Sequence, residues 1–202
     1  MTAPENILTS VEHYVLSYLK ENLPSNLTFH NVHHTLEVVH AVKEIGTKYP
    51  LTKEQLKVIQ IAAWFHDCGY AEIYIGHEDV SKKIANDFLR GHSFPATLIE
   101  TVLTCIEGTR YPQNPITLEA KILCDADLYH FTKPDYHCYE QALRIEHERY
   151  FKMLYSDKDW ADANCKMLKT HQYFTDYGMQ VLQKFKEINI DRMECKSQES
   201  HD

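Results

Sequence analysis

The 202-residue sequence has no sustained alternation of apolar and polar residues, no internal repeat and no low-complexity tract. A sheet-based fold and a solenoid are therefore not expected. No apolar run approaches the roughly 20 residues of a membrane span. The first residues, Met1 to Asn6, lack a basic stretch followed by an apolar one, so no secretory signal is read there. The six cysteines, at 68, 105, 124, 138, 165 and 195, include no Cys-x-x-Cys pair and no framework spacing. Free thiols in a reducing, cytoplasmic setting are expected. Basic residues are outnumbered, 21 Lys and Arg against 29 Asp and Glu, giving a formal net charge of −8. That balance argues against an extended nucleic-acid surface or a grip on an anionic membrane. It leaves open a small phosphorylated substrate held by a cation and a few local groups.

What is present is helical periodicity. The length suits one domain, and a chain of this size buries roughly 70% of its unfolded surface without needing a disulfide or structural metal. Val11, Val15, Leu16 and Leu19 follow helical spacing in a helix from Ile7 to Leu23. Asn31 is a natural N-cap for a second helix running to about Tyr49. Thr52-Lys53-Glu54-Gln55 reads as a capping box opening a third, with Gly69 its terminator. Further helices are expected over Glu78–Arg90, from Pro95 to about Glu107, and from Thr117. Three long amphipathic segments follow, roughly Tyr136–Tyr155, Lys158–Phe174 and Tyr177–Ile190, and then a polar tail. The expected fold is all-α, a bundle of about eight or nine helices in one domain over 1–190, with a flexible tail over 191–202.

Several of these apolar faces end in polar groups. Ile61-Ala62-Ala63-Trp64-Phe65 runs straight into His66-Asp67. His34 shares a face with Val38, Ala41, Val42 and Ile45. Asp127 ends a stripe of Ile116, Ala120 and Leu123, whereas Asp125 faces elsewhere, with Lys121 one turn back as its neighbour. Burying an ionised carboxylate costs several kcal/mol or more unless something compensates. Each group alone is explained as readily by a hydrogen-bonded core histidine or a capping carboxylate. Three faces with polar ends together point to a bound metal ion. Two imidazoles and two carboxylates suit one divalent ion of Mn, Fe, Co, Ni or Zn; Mg is admissible but prefers all-oxygen sites. The lack of cysteine ligands argues against a closed structural zinc site.

Four blocks carry a resemblance: Phe29-His30-Asn31-Val32-His33-His34-Thr35, His66-Asp67-Cys68-Gly69-Tyr70, Gly76-His77-Glu78-Asp79-Val80-Ser81, and Glu119 to Leu128 around Cys124-Asp125-Ala126-Asp127. In this order they resemble the HD-domain superfamily of metal-dependent phosphohydrolases, in particular its small stand-alone members. The resemblance spans about 27–130, the metal-site core, and Leu143-Arg144-Ile145-Glu146 and Tyr173-Phe174-Thr175 extend it into the C-terminal helices, 134–190. It implies a helical bundle with one metal on His34, His66, Asp67 and Asp127, and selects His34 over His33 and Asp127 over Asp125. Two-metal members tend to show His-His where this chain reads Cys105-Ile106-Glu107-Gly108-Thr109, which favours a single ion. The resemblance makes His77 and His30 the candidate proton donors. By residue type, Arg144 and Lys121 are the candidate phosphate contacts, although solvated helix faces explain both. The implied activity is hydrolysis of a phosphate ester or anhydride, with a nucleotide as the expected substrate. The alternative is a non-catalytic nucleotide- or metal-binding regulatory domain. The sequence leaves a homo-oligomer open.

Overall fold

The computed structural model describes residues 6–199 and, within the last helix, side chains through residue 193. Among the described residues there are nine α-helices and no strand. The first six are α1 (Ile7–Asn22), α2 (Val32–Gly46), α3 (Lys53–Phe65), α4 (His77–Gly91), α5 (Ala96–Gly108) and α6 (Leu118–Asp127). They are followed by α7 (Tyr136–Phe151), α8 (Asp157–Thr170) and α9 (Gln183–Glu199). A 3-10 turn, Cys68–Ala71, links α3 towards α4, a second, Leu128–Thr132, follows α6, and a π turn, Gly178–Leu182, leads into α9.

α3 is the axis of the bundle. Val58, Ile59, Ile61, Ala62, Ala63, Trp64 and Phe65 are all buried, which is how the C-terminal half of the helix, apolar on every side from Ile61 on, must lie. Against it pack α1, α2, α4, α5 and α6. The expected capping box forms: the Thr52 side chain accepts from the Gln55 backbone while the Gln55 side chain takes the Thr52 N–H. α1 lays Ile7, Val11, Val15 and Leu19 on this core at strict four-residue spacing. The C-terminal segment joins the same core through Tyr173 and Leu182 and adds a smaller one around Phe131, Tyr136 and Leu168.

Four sequence expectations change. α2 ends at Gly46, one turn before Tyr49. Ile116 is 78% exposed and lies outside the core stripe that ends in Asp127. Gly69 does not terminate α3 in a left-handed cap; it sits in the 3-10 turn, where a Cβ would overlap the His77 backbone carbonyl. The last helix does not stop near Ile190 but runs on to Glu199, so most of the expected 191–202 tail is helical; residues 200–202 lie outside the described residues.

Candidate metal centre and active site

Three helix ends deliver four polar side chains to one point. Asn31 caps α2 by accepting from the backbone N–H groups of His33 (2.8 Å) and His34 (3.4 Å), which fixes the first turn where His34 stands. His66 follows the last residue of α3, and Asp67 follows it at the start of the 3-10 turn. Asp127 ends α6. His34 Nε2 lies 3.4 Å from Asp67 Oδ2 and 3.2 Å from Asp127 Oδ1. His66 Nε2 lies 3.2 Å from Asp67 Oδ2 and 3.6 Å from Asp127 Oδ1. His34, His66 and Asp67 are buried, and Asp127 is half-buried.

The His66 tautomer is settled by its other nitrogen. Nδ1 lies 2.7 Å from the Ala63 carbonyl oxygen, which can only accept. Nδ1 therefore carries the proton, and Nε2 presents a lone pair when the ring is neutral. Nε2 has no hydrogen-bond partner, and neither does Asp67 Oδ2. With the ring neutral, these are two buried acceptors facing each other, at a cost on the order of 1–3 kcal/mol each unless a proton or a cation stands between them. A cation between them would satisfy both. The electrostatics agree. Burial alone would push His66 down, but Asp67 and Asp127 outweigh it and lift the imidazole above its usual range. Burial likewise opposes ionisation of Asp67 and Asp127; the histidines facing them hold both carboxyls below the usual range. This cluster calls for positive charge, and the N/O donor set fits one divalent transition-metal ion.

A cavity of about 380 Å³ opens onto Asp67 and Asp127. One side is formed by His30, Tyr70 and His77. The Tyr70 ring lies between the two imidazoles, with centroids 4.1 Å from His30 and 3.7 Å from His77, and its hydroxyl is 3.2 Å from His30 Nε2. His77 Nε2 is 3.4 Å from Asp67 Oδ1, and its Nδ1 is 3.3 Å from the Tyr74 carbonyl oxygen. Burial opposes protonation of His77, but the hydrogen bond to Asp67 prevails and raises it. His30 Nδ1 is held by Glu146 Oε1. Glu146 is 1% exposed; it also accepts from the backbone N–H of Phe29 (2.9 Å) and His30 (3.1 Å) and from the Tyr74 hydroxyl (2.9 Å).

The structure brings His30, His34, His66, Asp67, His77 and Asp127 to one place. It does not bring the two expected phosphate contacts, Arg144 and Lys121, there; neither lines the cavity. The Arg144 guanidinium is committed to Glu148 (3.0 Å), Asp157 (2.8 Å) and the Tyr155 carbonyl (2.6 Å), tying α7 to the start of α8. Asp125 faces the core and is fully buried, accepting from Phe174 N (2.7 Å), Thr175 N (3.0 Å) and Thr175 Oγ1 (2.5 Å). Residues missed from sequence include Glu146, Gln113 and His171. Gln113 donates from Nε2 to Asp127 Oδ2 at 3.0 Å. No local pattern marks a loop glutamine or a lone histidine before it is folded against the site.

The chain matches the family described as HD domain over residues 31–132, half of its length. Its fold is similar to that of a predicted HD superfamily hydrolase from an uncultured Thermotogales bacterium, with a TM-score of 0.63 and 17% identity over 93% of this chain and 91% of the other. It is also similar to a protein from Lactobacillus plantarum, with a TM-score of 0.62 and 13% identity over 98% and 99% of the two chains. A comparison with curated proteins returns no match. At these identities the two structures speak for the fold alone. The family match spans the α2 cap through the turn after α6, the segment that holds His34, His66, Asp67 and Asp127, and the chain belongs to the HD domain family.

Proposed function

We propose that this protein is a metal-dependent phosphohydrolase acting on a phosphate ester or anhydride, with a nucleotide as its substrate. One divalent cation would be held by His34, His66, Asp67 and Asp127. The observation that carries the reading is the pair of buried, unpartnered atoms, His66 Nε2 and Asp67 Oδ2, beside an open cavity that Asp67 and Asp127 line. Such an ion supplies Lewis acidity at a phosphoryl oxygen and acidifies a water.

The chain's own groups supply the rest. His77 turns Nε2 to Asp67 and Nδ1 to the Tyr74 carbonyl, both acceptors, so it is held protonated and stands where it can deliver a proton. His30, with Nδ1 anchored on Glu146, turns Nε2 towards the Tyr70 hydroxyl and the cavity, where it can protonate a leaving oxygen. Burial keeps the Tyr70 phenol protonated, well above its ordinary value, so it can donate a hydrogen bond to His30 or to substrate. The two imidazoles flank one ring, so the two candidate proton donors stand on opposite faces of Tyr70.

The test is metal analysis of the purified protein, followed by turnover of nucleoside mono- and triphosphates and p-nitrophenyl phosphate with Mn²⁺ and with chelator. Turnover should require the metal, and His66→Ala and Asp67→Ala should lose both metal and activity. Wild-type Mn²⁺-dependent turnover by Asp67→Ala would sink the reading. Tight nucleotide binding by the metal-loaded wild type without turnover would favour a sensor.

A further inference from the structure

The cavity lining also takes in Met167, Thr170, His171, Gln172 and Phe174, where α8 ends and the chain turns towards α9. This part of the lining lies outside the family-matched residues 31–132, so it is where this chain can set what its phosphoryl group is attached to. One side chain in it is oriented from behind. The Lys186 side chain is completely buried. Its Nζ donates to the His171 carbonyl oxygen at 2.6 Å and lies 3.4 Å from His171 Nδ1, with the Tyr173 ring centroid 5.3 Å away. An ammonium has only donors. It therefore faces Nδ1 as an acceptor, and the single proton of a neutral imidazole must sit on Nε2. Burial, and then the Lys186 charge, push His171 down to about 4, so the ring is neutral near pH 7. Burial also lowers Lys186, to about 8, which leaves it mostly charged there.

His171 Nε2 has no hydrogen-bond partner and is shielded from water. An N–H donor left so costs on the order of 1–3 kcal/mol and calls for an acceptor. The His171 ring packs edge-on against Phe131 and Tyr173, with centroids 5.2 and 4.6 Å away, and the cavity it lines also carries the apolar side chains of Met167, Phe174, Leu128 and Pro112. Such surroundings suit a flat, uncharged leaving group better than a phosphoryl group, which the metal end of the cavity takes.

We propose that His171 is a substrate-contacting residue, held by Lys186 as an Nε2–H donor, and that it binds an uncharged acceptor atom on the leaving group, of the kind a nucleobase carries. Lys186 is the positioning residue. This rests on the phosphohydrolase reading.

The experiment measures KM and kcat with Mn²⁺ for nucleoside 5′-monophosphates and for p-nitrophenyl phosphate. His171→Phe keeps a ring and loses the donor. It should raise KM for the nucleotide roughly tenfold, change kcat by less than about threefold, and leave KM for p-nitrophenyl phosphate unchanged. His171→Gln, with an amide N–H, should recover part of the loss. In Lys186→Met the nitrogen NMR signals of His171 should lose the Nε2–H pattern of the wild type, and KM for the nucleotide should rise. Retained thermal stabilisation by Mn²⁺ checks that each variant is folded and binds metal. A wild-type nucleotide KM in His171→Phe, or an equal rise for both substrates, overturns the inference while the phosphohydrolase reading stands. Failure of the wild type to turn over any of these esters removes that reading and the inference with it.

Discussion

Gly69 lies directly against the backbone carbonyl of His77, so that a Cβ at position 69 would overlap that oxygen. The contact pins the 3-10 turn after Asp67 onto the first residue of α4, and the Gly69 N–H donates to Ser81 Oγ at 2.8 Å to complete the joint. Asp67 and His77 are thereby set to a common frame. Gly69→Ala must move backbone rather than a flexible side-chain end. It should cost about 3 kcal/mol, the upper end for overpacking, which in a chain of this size is a fall of roughly 6–12 °C in Tm. Calorimetry showing a Tm within a degree of wild type would rule out this account of the joint.

Metal binding should show in stability as well as activity. Mn²⁺ at about a hundred times its Kd should add about 2.7 kcal/mol, a Tm rise of roughly 5–11 °C. The size should depend on pH with a definite sign. His66 is raised in the folded, metal-free chain, so its contribution is present below the ordinary imidazole value and is lost as pH rises through the folded one. The ion needs the lone pair that this proton occupies, so its stabilisation should grow over the same rise. Thermal shifts across pH 6 to 9, with Mn²⁺ and with chelator, measure this; a shift that shrinks with rising pH contradicts it.

How much of this was legible in the sequence divides along a physical line. His34, His66 and Asp127 sit at helix ends, where local periodicity fixes which way a side chain points, so the metal cluster could be assembled on paper. Glu146 and Asp125 could not. Each is a carboxylate whose donors lie far away in the chain, His30 across 116 residues and Thr175 across 50. Such pairings are decided by how helices pack. Arg144 misled for a different reason: its charge suggested phosphate, while its carboxylate partners Glu148 and Asp157 stand close to it in the chain. Gly69 reads as a helix terminator in the sequence and stands instead in a 3-10 turn against the His77 carbonyl, because close approach and helix termination leave the same mark in a sequence.

Glu146→Gln separates the fold role of that carboxylate from its role behind His30. Burial opposes its ionisation, but His30 and the two backbone N–H groups prevail and hold it below the usual range. That stability is present above the ordinary carboxylate value and is lost as pH falls through the folded one. Glu146→Gln should cost about 2 kcal/mol near pH 7, as for a charged acceptor lost from buried donors, and the gap to wild type should narrow below about pH 4.5. Its effect on turnover should depend on the leaving group. Alkyl esters, which need a proton, should slow by about a hundredfold or more, and p-nitrophenyl phosphate much less. Equal slowing of both would take His30 out of the acid role.

Asp125 sits two residues before Asp127 on α6 and grips the segment that brings Phe174 into the cavity lining. Its three acceptor contacts with Phe174 and Thr175 are closed by the Gly178 N–H donating to Thr175 Oγ1 at 2.9 Å, and a Cβ on Gly178 would overlap the Asp125 carboxylate. Asp125→Ala leaves three donors without an acceptor, two of them buried with Thr175. It should cost about 3–5 kcal/mol, from three donors left unsatisfied at about 1–3 kcal/mol each, partly offset by relaxation. Asp125→Asn keeps one acceptor oxygen and should cost less. Because this part of the lining carries His171 and Phe174, the Asn variant should raise KM for a nucleotide more than it lowers kcat, with Mn²⁺ binding intact. A loss confined to kcat would mean that Asp125 acts through Asp127 and the metal, and that the lining does not depend on it.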